Sequence, residues 1–172
     1  MNSQILIHLS KRFLIHIGLV ICSTVLFIPV NAQENPPKPI AVRVSTLQHL
    51  SFGAFIQSGT NGTVTVTPEG ARTSTGNIIL PNMSSIVTPA LFEVTALPGT
   101  LITIVNGPDS QLSGSNGGTI MLRIGDSNTG SPFIANGEHN EVFIGGTLTV
   151  GPLMANPAGA YSGIFQVTFI QQ

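Results

Sequence analysis

The chain has no tryptophan, one tyrosine, one cysteine and few charges, with Asp, Glu, Lys and Arg making up 8% of its 172 residues. Each shortage excludes something. A single cysteine, Cys22, cannot close an internal disulfide, so stability outside the cytoplasm would rest on packing alone. With no tryptophan and only Tyr161, the chain is poorly equipped with the flat aromatic faces on which sugars stack. The scarcity of Lys and Arg leaves no basic patch, which argues against nucleic acid and anionic membrane surfaces as partners. Beyond residue 32, no stretch keeps a helical period over three turns, because Gly or Pro interrupts nearly every window of about ten residues. No internal repeat is visible, so propeller and solenoid architectures lose support.

What is present begins with a targeting pattern. Lys11 and Arg12 precede an apolar run over residues 13–30, which exits through Val30-Asn31-Ala32. Positive start, apolar core and small-residue exit read as a secretory signal peptide over residues 1–32, cut between Ala32 and Gln33. A membrane anchor is the rival, since the run reaches the minimum of about 17 residues for a span. The break at Pro29 and the Val-Asn-Ala exit favour cleavage, so no transmembrane anchor is expected in the mature protein. Cys22 as a lipid carrier finds little support, because Ile21 stands where a small residue is needed. The expected location is the periplasm, cell surface or extracellular space. Cleavage removes Cys22 and leaves Lys38, Arg43, Arg72 and Arg123 against seven acidic side chains.

Residues 33–39 form a Pro-rich arm, and residues 40–172 carry the folded domain. Ile40, Val42 and Val44 alternate with Ala41, Arg43 and Ser45, as in a strand. Residues 62–68 alternate Thr with Val and turn at Pro68-Glu69-Gly70. Residues 72–75 start a return leg, and 77–80 form a separate apolar piece. Residues 90–96, 101–105 and 119–124 read as further strands. Residues 141–144 and 147–150 read as a hairpin turning at Gly145-Gly146. Residues 106–118 and 126–137, rich in Gly, Ser, Asn and Asp, read as loops. In the closing stretch, Tyr161, Phe165, Val167 and Phe169 fall on one face of a single strand and form its core side. Many short strands at this spacing predict an all-β antiparallel β-sandwich in one domain.

The search for chemistry returns little. Gly125-Asp126-Ser127 matches the opening of one esterase motif, but a serine nucleophile needs a base and an orienting group. Only His49 and His139 follow residue 32, and Asn136 rather than Asp stands three places before His139. The plain reading is a turn in which Asp126 caps local backbone donors. Asp126, Asn128 and Gly130 begin like a calcium loop, but Ser131 and Gly137 occupy the places where Gly and Glu are required. Glu93, Glu138 and Glu141 could supply a carboxylate pair, as any sandwich surface could. The chain is therefore expected not to be an enzyme, with no catalytic residue, no metal ligand and no cofactor.

Several stretches occur in a telling order: Leu50-Ser-Phe-Gly53-Ala-Phe55, Gly62-Thr-Val-Thr-Val-Thr-Pro68-Glu-Gly70, Ala90-Leu-Phe92-Glu-Val94-Thr, Gly145-Gly-Thr-Leu148-Thr-Val150 and Gly159-Ala-Tyr161-Ser-Gly163. Together they resemble the bacterial secreted family called domain of unknown function 4402, over nearly all of the mature chain. The resemblance implies an immunoglobulin-like β-sandwich, similar in style to fimbrial and spore-coat U proteins, and an envelope or surface role without catalytic residues. The closing strand is also similar to that of chaperone–usher pilins, with Gly159 in the expected place. Gln171 stands where those proteins have an aromatic residue, and their disulfide is absent.

The function expected from these readings is a secreted structural subunit, pilin-like or coat-like, joined by β-strand addition to copies of itself or to other envelope subunits. The candidate donor is Ile40, Val42 and Val44, with an acceptor groove beside the closing strand. The competing reading is that residues 40–44 pair within their own sheet. The alternative function is an extracellular adhesive or carbohydrate-binding module using loops 106–118 and 126–137.

Overall fold

The computed structural model describes residues 38–44, 48–81 and 85–172. The expected signal peptide and most of the Pro-rich arm lie outside the described residues. Within them the chain is all strand and turn, without a helix.

The organising element is β11 (His139–Val150), a strand of 12 residues. Its first half pairs with β6 (Ala90–Thr95), and its second half pairs with β3 (Ile56–Val66). Both lie end to end along one edge of β11, because the opposite edge is taken by β9 (Thr119–Ser127). The hairpin expected at Gly145-Gly146 is thus a single strand with a register shift between Ile144 and Gly146. A two-residue hairpin turn needs a positive φ, and neither glycine has one. Their smallness serves close approach instead. A Cβ on Gly145 would overlap the Val66 carbonyl oxygen, and one on Gly146 would come within 3.1 Å of the Arg123 oxygen. Such a bulge bends the strand and lets it serve two sheet directions.

The main sheet runs β1 (Ala41–Val44), β6, β11, β9, β8 (Ser110–Gly114) and β12 (Tyr161–Ser162), with β3 carrying β4 (Arg72–Ile79) as a side branch. A three-stranded sheet of β10 (Phe133–Ile134), β7 (Leu101–Asn106) and β13 (Val167–Gln171) covers its β6 end, and β2 (Ser51–Phe52) pairs with β5 (Val87–Thr88). All strand pairings are antiparallel. The two-residue period decides the core. Val64 and Val66, Val94, Ile120 and Leu122, Val142 and Ile144, and Leu148 and Val150 are all buried, while their strand neighbours turn outward. Each such side chain contributes roughly 1.5–3 kcal/mol by leaving water. The layers meet where the Phe92 ring stands 5.4 Å from Phe169 and 6.4 Å from Phe165. The result is an antiparallel β-sandwich.

Three more expectations need correction. Residues 106–118 are no loop, since β8 lies inside them and buries Leu112. The pieces read at 72–75 and 77–80 belong to one strand, β4, paired with β3 on both sides of a register break between Gln57 and Gly62. The closing stretch is also not one strand. Tyr161 and Ser162 pair with β8 in the main sheet, whereas residues 167–171 pair with β7 in the other. Residues 163–166 cross between layers. The crossing passes close over β8, where a Cβ on Gly163 would stand 2.7 Å from Leu112 Cδ2.

Candidate functional site

The crossing matters because it leaves an opening. Residues 49–57 on one side and residues 153–165 on the other border a groove of about 990 Å³. Its floor is the inner face of the main sheet, at Leu112, Ile120, Leu122, Leu148 and Val150. Among the described residues its lining holds no Asp, Glu, Lys or Arg, and its titratable side chains are His49 and Tyr161. Ile56, Ile86 and Leu153, all more than half exposed, stand at its edges. The groove is thus mainly apolar, with exposed aliphatic edges.

Both walls are pinned by polar side chains. Arg72, at the start of β4, donates from Nη1 to the carbonyl oxygens of Phe52 and Ala54, each at 3.0 Å. Gly53 makes this possible, with φ at +64° and its Cα face lying against Arg72 and Ser85. The other wall is held by Asn156, the one buried polar residue among those described. Its Nδ2 donates to the Thr119 oxygen at 2.5 Å, and its Oδ1 accepts from Gly151 N–H. Half-buried Tyr161 donates from its hydroxyl to the Pro157 carbonyl at 2.7 Å. Gln57 reaches across one end of the groove and donates to the Gly151 carbonyl.

The closing-strand residues Tyr161, Phe165, Val167 and Phe169 are half-buried and pack against the core. Tyr161 and Phe165 also line the groove. The candidate donor segment is used at home. Residues 41–44 form β1 and pair with β6, Val42 opposite Val94 and Val44 opposite Phe92. Ile40 is half-buried and donates its N–H to Gln171 Oε1 at 3.2 Å. Val42 is exposed, and the side chain of Val44 lies outside the described residues. In the turn after β9, Asn128 rather than Asp126 does the capping, its Oδ1 accepting from Phe143 N–H at 2.8 Å. Ser127 donates to the Gly130 carbonyl at 3.0 Å, so the esterase-like serine is a turn residue.

The pins Arg72 and Asn156 escape sequence reading. An arginine beginning a strand looks like surface, and its bonds reach residues 18 and 20 positions away. The one available hint for Asn156 was its place between Pro152 and Pro157, where an amide holds a turn.

A family model described as a domain of unknown function (DUF4402) matches residues 42–170. No curated protein and no solved structure matches the chain.

Proposed function

The chain belongs to the DUF4402 domain family, and on that footing we propose that it is a secreted, non-catalytic structural subunit of a bacterial envelope or surface layer. Its subunits join by β-strand addition, and the acceptor is the groove between residues 49–57 and 153–165. The observation that carries this reading is the groove itself: apolar, free of formal charge apart from its histidine, and floored by the core side of a sheet. An extended segment laid there gains main-chain hydrogen bonds from the bordering strands and buries alternate side chains against the floor.

The donor is residues 40–44 of a neighbouring copy. Four residues hold β1 to β6, and among the described residues nothing pairs with its other edge. A short terminal strand gripped on one side leaves its place at low cost, which is how exchanged strands link protomers. The test is light scattering after size exclusion on protein purified after export, with and without residues 33–47. The complete protein is expected to form concentration-dependent oligomers, and the shortened one to lose them while taking up a synthetic peptide of residues 38–44. A shortened protein that assembles as the complete one does, or that ignores the peptide, sinks the reading.

A further inference from the structure

The outer edge of β13 is a second joining surface, separate from the groove. Gly107 N–H donates to the Gln166 oxygen and Gln172 N–H to the Leu101 oxygen, both at 2.9 Å. Antiparallel strands bond through alternate residues. Residues 166, 168, 170 and 172 therefore turn their backbone groups towards β7, and Val167, Phe169 and Gln171 turn theirs away. Among the described residues no strand pairs with that outer side.

Proteins protect such edges with charge, proline, bulges or brevity. The other outer edges here follow the rule. β1 carries the exposed Arg43. β4 starts at Arg72 and is kinked at Gly76, φ +64°, opposite a register break in β3. β10 and β12 have 2 residues each, and Pro132 precedes β10. By contrast β13, Val-Thr-Phe-Ile-Gln, has 5 residues and no charge, proline, glycine or bulge. The outer face beside it is apolar too, with Leu101, Val105, Ile134 and Ile170 exposed.

We propose that β13 pairs with β13 of a second copy about a twofold axis, merging two three-stranded sheets into one. The partner is a second copy because the edge is complementary to itself. Its outward backbone groups are symmetric about Phe169, which pairs with its own counterpart, while Val167 pairs with Gln171 of the second copy. A neutral segment meets its own copy without repulsion, whereas one net charge would be doubled at the axis. The same register sets exposed Thr168 opposite Ile170 of the second copy on the outer face. This inference does not rest on the strand-addition reading.

The register supplies the experiment. Thr168 and Ile170 are exposed, so both accept charge without entering the core. Dimerisation is followed by light scattering over a concentration series, in the chain lacking residues 33–47 so that groove-mediated assembly does not contribute. The complete chain is run in parallel. The double variant Thr168→Lys/Ile170→Lys places lysine opposite lysine and is expected to weaken dimerisation roughly tenfold or more. The variant Thr168→Lys/Ile170→Glu places lysine opposite glutamate and is expected to restore it at low salt and lose it again at high salt. A synthetic peptide of residues 166–172, added in excess to the complete chain bearing neither charge, is expected to compete with the dimer, which gives a readout free of any folding defect. The proposal is overturned if both chains stay monomeric throughout, if the lysine pair dimerises like the unaltered protein, or if the lysine–glutamate pair behaves like the lysine pair.

Discussion

Asn156 shows how much can hang on one amide in a chain with few charges. It is buried, and it supplies both a donor for Thr119 and an acceptor for Gly151. Replacing it with alanine strands those backbone groups away from water, at about 1–3 kcal/mol for a buried group left unpaired. Asn156→Ala is expected to lower the urea midpoint accordingly and to loosen the groove wall, seen as faster amide exchange over residues 151–160. An unchanged midpoint with unchanged exchange would show that the pin is ornamental. Gly145 makes a sharper case. A Cβ there would run into the Val66 carbonyl and the start of the next turn, all backbone that cannot swing aside. Gly145→Ala is expected to cost about 3 kcal/mol or more. Gly137, with nothing within 4 Å of its would-be Cβ and no positive φ, is the control; alanine there should be neutral or stabilise by about 0.4–1 kcal/mol through the unfolded chain. Equal urea midpoints for the two variants would refute the close-approach account of the bulge.

At the scale of elements, the two-residue period was legible and the partners were not. Val64 and Val66 against Thr63 and Thr65 declare a strand with one buried face, and the structure buries that face. Gly145-Gly146 reads equally well as a turn or a bulge until Val66 and Arg123 are placed on either side of it. That information sits tens of residues away. The closing stretch misled for a related reason. Tyr161, Phe165, Val167 and Phe169 keep one two-residue phase, so the stretch reads as one strand; the local marks of the change of sheet are Gly163 on the core side and the exposed Ile164 on the other. The groove is less legible still, since its walls come from opposite ends of the domain and part because the chain crosses between layers. Residues 106–118 looked like loop because Gly, Ser and Asn dominate, yet Leu112, with Ile120 opposite it on β9, was enough to fix a strand there.

For the whole molecule, the two proposed joining surfaces have different symmetry, and under these proposals this sets what can be built. A donor segment seated in a neighbour's groove is a head-to-tail joint, which by itself yields open chains. A β13 pair closes on itself and stops at two. Together they link chains sideways, so a subunit carrying both is suited to a layer or a bundled fibre more than to an isolated filament. Stability must come from the packing of the sandwich, since one cysteine cannot close an internal disulfide. Tyr161 carries a last consequence. It stands in the groove wall with its hydroxyl on Pro157, and it is the sole tyrosine of a chain without tryptophan. Tyrosine emission, excited beyond the phenylalanine band, therefore comes from one side chain, and it sits at the proposed acceptor site. Titrating a tyrosine-free peptide of residues 38–44 should change that emission saturably, with the same midpoint as the change in assembly. A flat titration would place the peptide elsewhere on the molecule.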